Sequence, residues 1–373
     1  MNLQLTETQK MLKRTAREFF DNEFPLSMVR DAQSNNLGYS PDTFREIAKL
    51  GWLDLSYPVT YGGSGQSIQD YFVLLEEMGR SLFISPLISS NILCGNLIID
   101  NGTEELKGPL LKDLGSGSTI AALAYAESQT TIPTTLESKI IRNGKDLTLT
   151  GVKNAVPFGA IADYYIVGAV CQSEEVLALV NSTSNGIETE QLPTVARFPR
   201  AKVKFDNVLV PEINIFPTKP SKLQNAMNLA ILSQCAEMVG RAERILEMVL
   251  EYSHKRVQFG RPIGTFQAIQ HQCADLSISV DAAKLHLYRA GSASAESLTN
   301  QTELASMAKA ICGDMSKLST KTGHGIFAGI SFTSEHPMQL YSEQNKLAEA
   351  AYGNTMYHTS LIGSMLNELT NDS

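Results

Sequence analysis

The chain lacks any apolar run near the roughly 20 residues that span a bilayer, so membrane insertion is not expected. Its five cysteines, Cys94, Cys171, Cys235, Cys273 and Cys312, are scattered and form no CxxC pair. That pattern supplies no metal site and favours reduced thiols in a cytoplasmic protein. Positive charge is in short supply too. The 31 Lys and Arg stand against 39 Asp and Glu, a net charge of -8. Nucleic acid and anionic membrane are therefore poor partners. The first 20 residues lack the apolar centre of a secretory leader and read as an amphipathic helix. The glycine cluster Tyr61-Gly62-Gly63-Ser64-Gly65 lacks the Gly-Lys-Ser/Thr of a phosphate loop and reads as a turn.

What is present describes an ordinary globular chain. At 373 residues, 43% hydrophobic and 19% charged, it can bury a core in two or three structural units. Residues 1–117 carry a helical pattern, with helices predicted near 7–22, 40–50, 67–81 and 89–101. Ser40-Pro41 marks a helix start, an N-cap followed by proline at the first position. Residues 118–216 change to short strands, near 119–126, 147–150, 164–169, 176–180 and 201–205, which suggest a mostly antiparallel β domain. Residues 217–373 return to helix. The run 225–240 is Ala-, Leu- and Met-rich on nearly every face, as in a buried helix. Further helices are predicted near 266–290, 302–321 and 344–369. The fold class is thus α+β, helical, then sheet, then helical.

Residues 252–275, YSHKRVQFGRPIGTFQAIQHQCAD, carry the most chemistry. Arg256 can make charge-assisted bonds to phosphate, Phe259 and Phe266 offer apolar faces, and Gln267 can read polar edges. The other reading is a helical hairpin whose Arg and Gln are merely solvated. The string resembles the R-x-Q-F-G-x-P-I-x-x-F-Q-x-I-Q signature of the flavin-dependent acyl-CoA dehydrogenases. It matches at Arg256, Gln258, Phe259, Gly260, Pro262, Ile263, Phe266, Gln267, Ile269 and Gln270, and goes on to Ala274 and Asp275. The resemblance implies a helical N-terminal domain, a middle β-sheet domain and a C-terminal four-helix bundle. It also implies FAD, an acyl-CoA substrate and reoxidation by an electron-transfer flavoprotein.

In that family a glutamate removes the proton α to the thioester, from one of two places. Here those positions read Ala230 and Tyr352, and an unperturbed phenol near pKa of about 10 is a poor base. Glu237 projects from nearly the same helix face two turns after Ala230. It is the candidate base, but Arg241, four residues on, can instead hold it in an ion pair. The stretch that resembles the family's flavin loop, 126–133, keeps Glu127 and loses its proline and small turn residues. The strand that follows becomes Ala155-Val156-Pro157-Phe158, with Lys153 retained. The adenine-end element keeps Gly329 and loses its glutamine. Glu335-His336, adjacent in sequence, reads as two separate structural contacts.

In this family one subunit's Arg–Phe segment grips a flavin that lies on its neighbour. The retained segment beside the weakened loop therefore resembles one subunit of the heteromeric α2β2 enzymes of bacterial steroid side-chain degradation. Two alternatives stand: a homotetrameric dehydrogenase using Glu237, and a flavin-free acyl-CoA-binding or scaffold paralogue.

Overall fold

The computed structural model describes the chain except residues 1–4, 36, 128–135, 145, 218, 297–299, 372 and 373. Thr6 opens the first helix through a capping box. Its hydroxyl accepts from the Gln9 amide at 3.2 Å, and the Gln9 side chain accepts from the Thr6 amide at 3.0 Å. The helices in this first part are α1 (Glu7–Glu23), α2 (Leu26–Ser34), α3 (Pro41–Lys49), α4 (Ile68–Arg80), α5 (Gly95–Asn101) and α6 (Glu104–Gly115). Strands follow: β1 (Ala121–Ala124), β2 (Lys139–Asn143), β3 (Asp146–Pro157), β4 (Tyr164–Cys171), β5 (Glu174–Asn181), β6 (Ile187–Leu192), β7 (Arg200–Leu209) and β8 (Ile215–Pro217). The 36-residue α7 (Pro220–Lys255) leads into a hairpin of β9 (Val257–Gln258) and β10 (Arg261–Pro262). Last come α8 (Gln267–Ala295), α9 (Gln301–Phe327), α10 (Met338–Ala350) and α11 (Thr355–Asn371). No helix among the described residues is long and apolar enough to cross a membrane.

Two compact units result. The first comprises Arg30–Ser67 and Ile84–Ala230 and is built on one sheet, in the order β6-β7-β3-β2-β4-β5-β8 with β1 beside β4. Pairing is antiparallel except where β4 meets β1 and β2. Val, Leu and Ala side chains of β1, β3, β4, β5 and β7, with Tyr165 and Phe205, fill its core. β2 and β6 are absent from the pattern expected for 118–216 because their surroundings impose no alternation. β6 lies at the sheet edge and buries nothing, and β2 buries only Ile140. The segment expected as a helix over 89–101 is helical throughout but changes type along its length. Leu87–Cys94 is a fully buried π-helical segment, and α5 begins only after it.

The second unit comprises Met1–Val29, Ile68–Phe83 and Ile231–Ser373. Gly79 of α4 and Gly240 of α7 let these helices cross closely. A Cβ on Gly79 would strike the Glu237 carbonyl, and one on Gly240 the Glu76 carbonyl. The crossing buries Glu76 and Glu77 with their partners supplied. Glu76 receives Lys13 at 3.1 Å, Lys284 at 3.0 Å and the Tyr288 hydroxyl at 3.0 Å, while Arg17 forks onto Glu77 with two bonds of 2.9 Å. A buried carboxylate is tolerable only with such pairing. The helix expected over 344–369 is broken in two. Tyr352 (φ 56°) and Gly353 (φ 97°) turn left-handed between α10 and α11, a conformation no helix continues.

Candidate functional site

The hairpin after α7 is closed by the shortest possible turn. Phe259 (φ 52°) and Gly260 (φ 80°) both adopt positive φ, as a type I′ turn requires. Glycine does this freely; Phe259 is strained there. Its ring stands at the tip, 92% exposed. Arg261 sits over the Phe266 ring at 4.2 Å, and Phe259 meets that ring edge-on at 6.1 Å. Arg256 opens the hairpin, with its carbonyl accepting from the Ile263 amide at 2.8 Å. Its guanidinium is exposed and meets no carboxylate among the described residues. Gln258 is exposed on β9, Ile263 half-buried, and Gln267 exposed at the first position of α8. No side chain caps α8; the Ile269 amide turns back to the Phe266 carbonyl at 3.0 Å, and the Gln267 and Ala268 amides, with their partial positive charge, stay open among the described residues. Gln270 serves the fold instead, donating to the Gly264 carbonyl at 3.0 Å.

Cation, open helix terminus and two rings are what a diphosphate attached to flat aromatic groups would need. The sequence reading missed Arg261; only its place opposite Gln258 across the two-residue turn could have revealed it. Gly329 lies in the turn Ala328–Phe332, and a Cβ there would meet nothing within 4 Å. His324 holds this turn, its two ring nitrogens 2.9 Å from the Ser331 hydroxyl and 2.7 Å from that of Ser342. Glu335 and His336 do go separate ways. Glu335 accepts from Ser334, whereas His336 accepts from the Met338 amide at 3.2 Å.

The two expected base positions hold no acid. Ala230 is fully buried. Tyr352 sits in a loop fixed from three sides. Lys309, fully buried, donates to the carbonyls of Ala348, Glu349 and Gly353 at 3.0, 2.8 and 2.9 Å. His358 Nε2 lies 3.0 Å from the Tyr352 carbonyl, and Glu349 accepts from the Thr355 amide at 3.2 Å. Glu237 forms the ion pair its spacing allows: Arg241 Nη1 lies 3.3 Å from Oε2, which also accepts from Gln234 at 2.9 Å. Burial pushes the Glu237 carboxyl up, and Arg241 and Gln234 pull it back only in part.

In the sheet unit, the polar groups near the expected flavin loop satisfy one another. Residues 128–133 of that loop lie outside the described residues. Lys153, fully buried, donates to Glu127 at 2.5 Å and to the Tyr125 carbonyl at 3.3 Å. Glu127 also accepts from the Ser138 amide at 2.8 Å and from the Glu137 amide. Asn154 donates to the Glu127 carbonyl at 2.5 Å. Val156 and Phe158 are turned into the core, around a bulge where Ala155 and Phe158 both have φ 53°.

Comparison with known proteins shows the family. A model of the acyl-CoA dehydrogenase N-terminal domain matches residues 6–118, and one of the C-terminal domain matches residues 222–366. An acyl-CoA dehydrogenase of Bacillus subtilis (strain 168) is 26% identical, over 98% of this chain and 99% of its own. Acyl-CoA dehydrogenase IpdE2 of Mycolicibacterium smegmatis is 27% identical, over 90% of this chain and 92% of its own. The crystal structure of the ChsE4-ChsE5 complex from Mycobacterium tuberculosis superposes with a TM-score of 0.91 at 24% identity, over 99% of each chain, a likeness of fold.

Proposed function

The chain belongs to the acyl-CoA dehydrogenase family, and from there we propose that it serves α,β-desaturation of an acyl-CoA thioester as one subunit of a heteromeric enzyme. The observation that carries this reading is the hairpin. A strained, 92% exposed Phe259 and an Arg256 with no carboxylate partner among the described residues fit a group held outside this chain. Arg256 and the open amides of α8 would take the diphosphate of FAD. Phe259, Ile263 and Phe266 would pack on its rings, Gln258 and Gln267 would meet its polar edges, and Gly329 leaves room beside them. FAD, when bound, accepts the hydride that leaves the β carbon.

This chain's own polar groups at Glu127, Lys153 and Asn154 are committed to each other, which favours a flavin lying mainly on the partner. The ChsE4-ChsE5 complex, an assembly of two chains, supports a homologous subunit as that partner. In this arrangement the base comes from the partner too, because Ala230 and Tyr352 offer none and Glu237 Oε2 is held by two donors. An electron-transfer flavoprotein would reoxidise the flavin, and the family branch points to bulky, steroid-type acyl groups in a cytoplasmic enzyme.

The test is the flavin spectrum of the chain purified alone and after coexpression with a homologous subunit. Flavin should be retained only on coexpression. Arg256→Ala should weaken FAD binding by the complex about 10- to 100-fold, the worth of lost bonds to a charged group. A chain that is yellow alone and bleached by acyl-CoA would defeat the subunit reading. Loss of that bleaching in Glu237→Gln would then make Glu237 the base of a self-sufficient enzyme.

A further inference from the structure

The turn that carries Gly329 is held by a histidine whose hydrogen bonds fix its charge. Ala328 opens the turn at φ 54°, a left-handed conformation that strains an alanine. Ala328 and Gly329 are exposed, and so are Ile330 and Phe332. Behind them His324 of α9 stands half-buried between two serines, Nδ1 2.9 Å from Ser331 Oγ and Nε2 2.7 Å from Ser342 Oγ. Each serine has already placed its proton. Ser331 donates to the Ala328 carbonyl at 2.7 Å, and Ser342 to the Met338 carbonyl at 2.8 Å. A hydroxyl has one proton to give and otherwise only accepts. For all four bonds to stand together both ring nitrogens must donate, and only the imidazolium does that. Phe332 lies flat on the ring, centroids 4.6 Å apart and planes 19° apart, where a cation is favoured.

We propose that His324 is a positioning residue for FAD and holds a proton in the loaded complex; this rests on the FAD reading above. As imidazolium it pins both serines, keeps the strained Ala328 turn closed and sets a positive charge behind the exposed backbone of Ala328 and Gly329. The diphosphate of FAD favours that charge, so cofactor and proton bind together. Without the cofactor, burial pulls the ring toward its neutral form. One serine must then turn its proton to the ring, and the Ala328 or Met338 carbonyl loses a bond. The charged or titratable side chains to weigh against it are Lys321 on α9, His271 on α8, Tyr252 on α7, Glu335 and His336 before α10, and Glu343 on α10. None of them bonds to the ring among the described residues, so no carboxylate supplies the counter-charge. Burial and then the nearby His324 push His336 down, so the two rings do not charge together.

The experiment titrates FAD into the complex of this chain with its homologous subunit across pH, and follows His324 by NMR of ring-labelled histidine. The His324 pKa should stand about one unit higher with FAD bound than without it. FAD affinity should accordingly rise up to about tenfold as pH falls from about 8 to about 5.5. Gln at this position keeps a donor and an acceptor but no charge. His324→Gln should therefore flatten that slope and leave affinity at about pH 8 within about twofold of the parent. Ser342→Ala, a smaller change, removes one acceptor and should lower the ring's pKa in the loaded complex. A His324 pKa that ignores FAD, or a variant with the parent's slope, would overturn the proposal while the FAD reading stands. A complex that takes up no FAD at any pH would instead bring down that reading, and the role of His324 with it.

Discussion

The β9–β10 hairpin and the Glu127–Lys153–Asn154 cluster have comparable polar content and opposite fates. In the cluster each charged or amide group has a partner close by in the same unit, at 2.5 Å for Lys153 on Glu127 and for Asn154 on the Glu127 carbonyl. In the hairpin Arg256 has no counter-charge among the described residues and Phe259 is left without cover. A polar group already satisfied within its own unit holds the fold together and has nothing left to offer a ligand. One left open at the cost of strain is available for binding. The two regions therefore divide structure from function within one chain, and each can be broken separately.

The largest effect is expected where commitment is complete. Lys153→Ala strands the Glu127 carboxylate and should cost the sheet unit about 3–5 kcal/mol. That corresponds to a fall on the order of 10 °C in its thermal midpoint. Changing both partners, as Glu127→Gln/Lys153→Met, should recover much of the loss, because two uncharged side chains leave no buried charge behind. A single variant as stable as the parent would show that the cluster is not structural, and the contrast with the hairpin would fail.

The hairpin should respond in the opposite way. Phe259→Gly removes a side chain from a left-handed turn position and so relieves about 1 kcal/mol of strain. The chain alone should melt no lower than the parent, while the complex should lose FAD affinity about tenfold. Thermal unfolding and flavin titration of the same preparation separate these outcomes. A clear loss of stability in the isolated chain would mean that Phe259 works as packing for Phe266.

Sequence reading reached these regions to unequal depths. Ser40-Pro41 encodes its own structure, and Ser40 indeed accepts from the Thr43 amide at 3.3 Å with proline at the helix start. The Glu237–Arg241 pair follows from i,i+4 spacing alone. Strand β6 could not be read, because an edge strand that buries nothing carries no alternation. The break at Tyr352-Gly353 left a local sign, since Asn354 accepts from the Tyr357 amide at 2.9 Å as a helix cap. The apolar periodicity on both sides masked it. Lys309 gave no sign at all. An amine buried against two carbonyls at the end of α10 and one of the turn after it exists only once α9 and α10 have met. Likewise, Arg241 was legible as half of an ion pair, whereas its orphaned Nη2 is visible only in the packed structure.

The smallest expected effect tests the committed cluster through pH. Burial pushes the Glu127 carboxyl up, but the Lys153 ammonium with the Ser138 and Glu137 amides outweighs it and holds the carboxyl below its ordinary 4.5. A group whose folded pKa is depressed stabilises the fold above its unfolded value, and that contribution fades as pH falls through the folded value. The thermal midpoint of the parent should therefore decline more steeply below pH 4.5 than that of Glu127→Gln, and the two should run parallel above it. Phe259 carries no titratable group, so Phe259→Gly should keep the parent's full acid slope. Equal slopes in the parent and Glu127→Gln would place the acid sensitivity outside this cluster.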